Sequence, residues 1–287
     1  MELEASISCT RHPNTIARYW ILTGVFGFAF LFLIATMARS VNEYDEGLIL
    51  VGSTRVLAGN VPYRDFYANY GPAQFYALAA LFKFLGPSII IERLWDLLIR
   101  ACTILVVYLI IDTAWSTGTA LFVAVLTSIW LSSFGYYAYP IFPCLLLSLL
   151  SLYFIIPLYG GRRTIAPLLL SGICVGITML FRHDVGIATA LGGAFTLTLF
   201  YVMQRLEAPR KIRDLLGSAT IYTAGIAVAF VPALALLLAV GAAHDMLIDL
   251  IVIPSKTYAQ MRSLPFPSVV AIARDLTQGY AQKLVTG

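Results

Sequence analysis

Charge is what this chain has least of. Of its 287 residues only 12% are Asp, Glu, Lys or Arg, about half the share found in soluble domains. A mean hydropathy of +0.84 and a 60% hydrophobic content exclude a water-soluble globular protein and a disordered chain. Cysteine is scarce as well. Cys102, Cys144 and Cys174 sit in apolar runs and Cys9 in the N-terminal stretch, which excludes a disulfide scaffold and matches no metal-binding spacing. With three histidines there is no His-Glu-x-x-His, and neither a phosphate-binding Gly-rich loop nor Gly-x-Ser-x-Gly occurs. The net charge of +4 is too small and scattered for nucleic acid as a partner.

What is present in quantity is apolar sequence in long runs. Stretches such as 19–38 and 215–240 are long enough to cross a bilayer, which takes roughly 20 residues as helix. Seven segments read as spans: 17–38, 90–111, 117–133, 142–159, 164–181, 185–204 and 214–241. The N-terminus reads as uncleaved, because Arg11 and Arg18 lead into a full-length span with no small-residue cleavage site. The expected fold is an all-α, polytopic helical bundle. Residues 1–16 form a cytoplasmic tail, 17–241 the membrane module with 39–89 as its first outer loop, and 242–287 an outer juxtamembrane tail.

Residues 73–85 decide the topology. As a helix they would reach only about 20 Å against a hydrocarbon core of about 30 Å. They also contain Lys83, and Pro72 and Gly86-Pro87 bracket them as start and stop signals. With this piece lying in the interface, Arg11 and Arg18, Arg162 and Arg163, and Arg205, Arg210, Lys211 and Arg213 all fall on one side. That is the arrangement the positive-inside rule demands. The reading is therefore a multi-pass protein of the inner (plasma) membrane with its N-terminus in the cytoplasm.

The few remaining charges gather in four places. In Asn42-Glu43-Tyr44-Asp45-Glu46-Gly47, Asn42 with Asp45 resembles a helix N-terminal cap. The acids either complement the helix dipole or supply a general base, Asp45 or Glu46. The proline-bounded loop 61–72 carries Arg64, Asp65, Tyr67, Asn69 and Tyr70. It reads either as an interfacial aromatic belt or as a sugar- and phosphate-contacting surface with Arg64 as bidentate donor. Arg182-His183-Asp184, between two spans, suits a lipid-linked phosphate, or is a solvated turn in which Asp184 neutralises Arg182. At the start of the second span, Glu92 and Arg93 read as a snorkelling surface pair, and Asp96 with Arg100 as a deeper pair on one helix face.

This arrangement resembles the GT-C glycosyltransferases. The elements that carry it are Tyr44-Asp45-Glu46-Gly47 after the first span, Leu57-Ala58-Gly59-Asn60-Val61-Pro62-Tyr63-Arg64-Asp65-Phe66, and Tyr70-Gly71-Pro72-Ala73-Gln74-Phe75-Tyr76-Ala77-Leu78. The likeness is nearest to the aminoarabinose transferase, protein O-mannosyltransferase and lipopolysaccharide sugar-transferase group, over most of 17–285. It implies a seven-span module with juxtamembrane helices in its long first outer loop. It also implies a polyprenyl-phosphate-linked sugar as donor and a glycan, lipid or protein hydroxyl as acceptor, with transfer on the outer (periplasmic) face among membrane lipids.

Under that resemblance Asp45 takes the place of the family's catalytic acid, with Glu46 beside it. Arg182, with His183 or Arg64, takes the donor phosphate, and Asp65, Tyr67, Asn69 and Tyr70 contact substrate. No cofactor is implied, and no carboxylate cage indicates a divalent metal. Two departures stand out. The turn Tyr136-Tyr137-Ala138-Tyr139-Pro140 lacks the second acid of some members, leaving Asp65 or Asp184 to compensate. The chain also stops after the first module, which is expected of a truncated frame or of one that needs a partner. A transporter, a flippase for lipid-linked sugars or a non-catalytic subunit is the alternative class.

Overall fold

The computed structural model describes residues 15–37, 41–158, 165–207 and 212–258. Arg11, Arg162, Arg163, Arg210 and Lys211 lie outside the described residues, as does most of the expected outer tail. Among the described residues the regular structure is all helix, with one isolated bridge between Pro62 and Phe66 and no strand. In chain order the helices are α1 (Thr15–Thr36), α2 (Asp45–Leu57), α3 (Pro72–Leu85), α4 (Ile89–Ala114), α5 (Thr117–Ser132), α6 (Ile141–Ile155), α7 (Ile165–Phe181), α8 (His183–Glu207) and α9 (Ile212–Ala239). Last comes α10 (Ala243–Leu247), which runs on into π-helical turns at Ile248–Val252 and Pro254–Tyr258.

Among the described residues five helices are long and apolar enough to cross a membrane: α1, α4, α6 with its 3₁₀ extension to Leu158, α8 to Leu206, and α9. The chain is a multi-pass membrane protein. α5 and α7 are apolar but shorter, at 16 and 17 residues. The outward surface agrees with a lipid environment. Trp20, Leu191, Phe195 and Leu236, on three of the long apolar helices, are each more than 60% exposed, as lipid-facing side chains are.

Local sequence accounts for the helix ends. Ser88 and Ser116 cap α4 and α5 by accepting the backbone N–H of Ile90 and Thr119. Pro72 opens α3, and Gly86 closes it at a φ of +85°, a left-handed conformation that costs glycine little. At 14 residues α3 spans only about 21 Å, and it packs back on α2 as a helical hairpin between α1 and α4.

One core joins α1, α4, α5 and the start of α6, around Leu33, Leu97, Ile104 and Leu131. A second joins the far end of α6 to α7, α8 and α9, around Ile155, Leu168, Val175 and Tyr222. α7 and α9 approach most closely, because Gly172 and Gly176 face Gly225 and Ile226. A Cβ on Gly176 would stand 2.6 Å from the Ile226 carbonyl oxygen. Small residues spaced by four are how helices come together where lipid leaves no hydrophobic drive between them. The α2–α3 hairpin, the 58–71 loop and α10 cover one end of the bundle, held by Ile49, Phe75, Leu78 and Phe82 beneath them.

Candidate functional site

The two neighbouring acids at the start of α2 have different surroundings. Asn42 accepts the N–H groups of Tyr44 and Asp45 at 3.2 and 3.1 Å. In return Glu46 Oε2 accepts the Asn42 N–H at 3.0 Å, a reciprocal cap closed by Glu46 rather than by Asp45. Glu46 is 1% exposed, and its carboxylate also receives Arg93 Nε at 2.7 Å and Nη2 at 3.0 Å. Its oxygens are thereby committed to the fold. Asp45 Oδ2 accepts the Asn42 side-chain amide at 3.3 Å, but successive residues on a helix point about 100° apart, and Asp45 also lines a cavity of about 520 Å³.

The expected surface pair of Glu92 and Arg93 is corrected by the same contact. Both are buried, because the α2–α3 hairpin lies over the start of α4, and Arg93 pairs with Glu46. Glu92 Oε1 accepts the Ala138 N–H at 3.3 Å, and Gln74 Nε2 donates to the Ala138 carbonyl at 2.7 Å. The two clamp one residue of the α5–α6 turn from both of its backbone polar groups. Deeper in α4, Arg100 lies 2.8 Å from Asp96, an ion pair off the hydrogen-bond direction, since neither Asp96 oxygen has a hydrogen-bond partner. The Arg100 guanidinium donates instead to the carbonyls of Leu131, Phe134 and Gly135 and stacks 3.8 Å from the centre of Phe142. It caps α5 and fixes the turn that follows.

That turn delivers Tyr137 and Tyr139 to the site, and a single residue, Arg182, separates α7 from α8. Arg182 donates from Nε and Nη2 to both oxygens of Asp184, at 3.1 and 2.6 Å, and from Nη1 to the Tyr139 hydroxyl at 3.2 Å. This bidentate pair holds the Arg182 guanidinium above its ordinary pKa. The 58–71 loop meets the corner through Gly71, whose N–H donates to the Phe181 carbonyl at 3.0 Å. Only a residue without a Cβ fits there. An added Cβ would run into the Leu180 carbonyl oxygen and lie 2.6 Å from that of Phe181.

Asp45, Asn69, Tyr70, Tyr139, Arg182, His183 and Asp184 line this one cavity, with Leu250 and Pro254 from the chain after α10. Asn69 Oδ1 is buried there with no protein hydrogen-bond partner, which leaves an open acceptor. Burial, then the neighbouring Tyr139 and Asp45, push the Tyr70 hydroxyl up to about 12. Burial first and Asp45 second raise Tyr137 as well. Both phenols therefore stay protonated donors beside the Asp45 carboxylate. At Tyr139 the polar cavity adjoins an apolar groove of about 600 Å³, walled by Trp130, Phe134, Phe142, Leu145 and Val185.

Arg64, Asp65 and Tyr67 are not part of that cavity. Arg64 pairs with Asp65 at 2.9 Å and donates from Nη1 to the Val240 carbonyl at the end of α9. Asp65 also accepts the Val61 N–H at 2.7 Å, and its own carbonyl receives Arg55. The pair latches the loop, and of the two acids considered as compensating in the turn, Asp184 is the one that lines the cavity. Tyr67 is 44% exposed outside it. The loop is further tied by Asp249, which accepts the Ala68 N–H at 3.1 Å. Tyr63, at a φ of +69°, is held there by donating to the Tyr70 carbonyl.

Tyr139, Leu250 and Pro254 were not candidates by sequence. Tyr139 carried a faint signal as one of three tyrosines in a short turn between apolar runs, and the other two carried none. Among the described residues no group of three or more His, Cys, Asp or Glu side chains is placed to hold a metal ion. No protein-family model, no curated protein and no solved structure matches the chain.

Proposed function

We propose that the chain is the seven-span module of a GT-C-type glycosyltransferase that moves a sugar from a polyprenyl phosphate to an acceptor hydroxyl. α5 and α7 supply the sixth and seventh spans. At about 24 and 26 Å they are somewhat shorter than the hydrocarbon core, a mismatch a bilayer accommodates by local thinning. The positive-inside argument supports a cytoplasmic N-terminus; with seven spans, in our reading those of an inner (plasma) membrane protein, the cavity then opens on the outer face.

The observation that carries this reading is that Asp45 and Arg182 line one cavity that adjoins an apolar groove. Transfer from a lipid phosphate needs those three parts: a carboxylate for the acceptor proton, a cation for the leaving phosphate and a bed for the lipid chain. Asp184 and Tyr139 occupy three of the five guanidinium N–H groups of Arg182. One N–H on each Nη remains for phosphate, with the fork held in place. The acceptor oxygen adds to the anomeric carbon as the bond to the phosphate oxygen breaks. The acceptor proton passes to Asp45, and the electron pair leaves with polyprenyl phosphate, inverting the anomeric centre. Asn69 Oδ1 accepts a hydroxyl of the bound sugar.

The test is release of polyprenyl phosphate from a radiolabelled lipid-linked sugar by the purified chain in nanodiscs. Asp45→Asn lowers the rate by about 100- to 10,000-fold, the range of a general base, with donor affinity and thermal stability unchanged. Near-normal turnover by D45N overturns the assignment. Movement of the intact lipid-linked sugar across the bilayer, with no polyprenyl phosphate released, replaces it with a flippase.

A further inference from the structure

An apolar groove of about 410 Å³ runs along the end of α9 where α3 and α7 meet it, within the roughly 300–1,000 Å³ of ligand pockets. Of its walls Pro72 and Leu237 are buried, whereas Leu236 is 69% exposed, so the groove opens sideways to the lipid around the bundle. One end of it is charged. The carbonyl of Val240, a wall residue just past α9, receives Arg64 Nη1 at 3.2 Å. Tyr76, a wall residue of α3, lies within electrostatic reach of Arg64 and Asp65. Two separate walls thus hold the Arg64–Asp65 pair at the rim. Arg64 gives three of its five N–H groups to Asp65 and Val240, which leaves one on each Nη of a 43% exposed guanidinium. Arg55 stands close enough to act on Asp65 as well. Two cations, Arg55 and Arg64, against the one acid Asp65 leave the rim with a single surplus positive charge.

A trough open to lipid that ends in fixed guanidinium N–H groups matches a molecule with apolar chains and a singly negative head. We propose that this groove binds an anionic phospholipid, with its phosphodiester on Arg64 and an acyl chain along Leu236 and Leu237. The phosphodiester oxygens accept the two remaining N–H groups, the fork geometry in which a guanidinium binds phosphate. Arg64 already ties the 58–71 loop to the end of α9, so the bound lipid sits on that tie and reinforces it. No bond forms or breaks in this lipid. The site goes beyond the transferase reading and does not rest on it, since neither Asp45 nor Arg182 takes part.

The experiment is native mass spectrometry of the purified full chain with defined lipids, read as lipid molecules retained per chain. One equivalent of dimyristoyl phosphatidylglycerol is expected to bind about fivefold more tightly than dimyristoylglycerol, the worth of one basic side chain near a membrane surface. Dimyristoyl phosphatidylcholine, neutral overall, binds more weakly than phosphatidylglycerol. Water-soluble glycerophosphoglycerol, the headgroup without chains, does not displace the bound lipid. Arg64→Ala brings the ratio of phosphatidylglycerol to dimyristoylglycerol close to one. Asp65→Asn raises the surplus charge to two and tightens phosphatidylglycerol, a gain that a purely structural ion pair would not give. Ala233→Trp fills the groove and removes the tight equivalent. Ala73→Leu, a smaller filling change on α3, lowers it part of the way and serves should A233W not elute as a folded monodisperse protein. Leu191→Trp on the lipid-facing side of α8 leaves it unchanged. A phosphatidylglycerol with a photoreactive acyl chain labels residues 233–240. The proposal is overturned if the native chain holds dimyristoylglycerol or phosphatidylcholine as tightly as phosphatidylglycerol, or if glycerophosphoglycerol displaces the lipid. It is equally overturned by a tight equivalent that survives R64A or both filling changes, by weaker binding in D65N, or by label scattered over α1 and α8.

Discussion

Asp45 and Glu46 are neighbours of like chemistry, and removing their charges one at a time is expected to have opposite consequences. Glu46→Gln leaves the Arg93 guanidinium charged, 6% exposed and short of its carboxylate, and weakens the acceptor that caps Asn42. Removing one partner of a buried ion pair costs about 3–5 kcal/mol, and since Gln keeps one acceptor oxygen the lower end applies, about 3 kcal/mol. In a chain of this size that lowers the melting midpoint by about 6–12 °C. Asp45→Asn leaves no buried partner stranded and is expected to stay within about 0.5 kcal/mol of the native chain, as surface changes do. Thermal melts of the detergent-solubilised protein separate the two. Replacing both partners of the buried pair together, as Glu46→Leu with Arg93→Met, removes both desolvation costs and recovers most of the loss. If E46Q melts within about 2 °C of the native chain, or if D45N melts as low as E46Q, the division of labour between the two acids is refuted.

Three other outcomes are open to measurement. Gly71→Ala should cost about 2–4 kcal/mol, roughly 1 from the Gly71–Phe181 hydrogen bond and 1–3 from overpacking. The φ of −62° at Gly71 suits alanine, so without the close approach the change would raise the melting midpoint instead. Arg100→Ala strands buried Asp96 and frees the α5–α6 turn, a loss of about 3–5 kcal/mol in a thermal melt. Arg100→Lys recovers only part of it, lacking the planar fork that reaches three carbonyls, and full rescue by lysine would contradict the capping role. The hydrogen bond from Arg64, then the Val61 N–H, lower Asp65 from 3.8 to about 2. Its contribution to the loop is therefore complete above pH 3.8 and is lost as pH falls through about 2. Carboxyl NMR should show this midpoint rising toward 3.8 in Arg64→Ala, and an unmoved midpoint would mean that Arg64 is not the cause.

Much of the helical order was legible from residue order alone, because it rests on local rules. Ser88 and the largely apolar stretch after it make the 26-residue α4, Pro72 and Gly86 bound α3, and Asn42 begins the turn into α2. Partnerships between distant residues were not legible. Glu92 and Arg93 resemble a surface pair only while α4 is considered by itself. The partner of Arg93 lies 47 residues earlier, and the covering hairpin removes both side chains from solvent. Arg64 and Arg182 look alike as cations in aromatic, polar segments. One is anchored on the end of α9 and the other beside Tyr139, a difference made by which helix end each segment meets.

By itself, then, the sequence determined that this protein is a helical, multi-pass membrane protein, and which few polar residues are available for chemistry. Charge is too costly in lipid to be placed without a partner or a cavity, so scarcity alone marks the candidates. Only the tertiary structure decided how those candidates divide. Glu46, Arg93, Asp96 and Arg100 are spent on fastening helices, while Asp45, Asn69, Tyr70 and Arg182 are gathered around one cavity. The reason is that a side chain's role follows from what it faces. For Asp45 and Glu46, adjacent in sequence, the facing was set by about 100° of helical rotation and by what α4 and α7 place on either side.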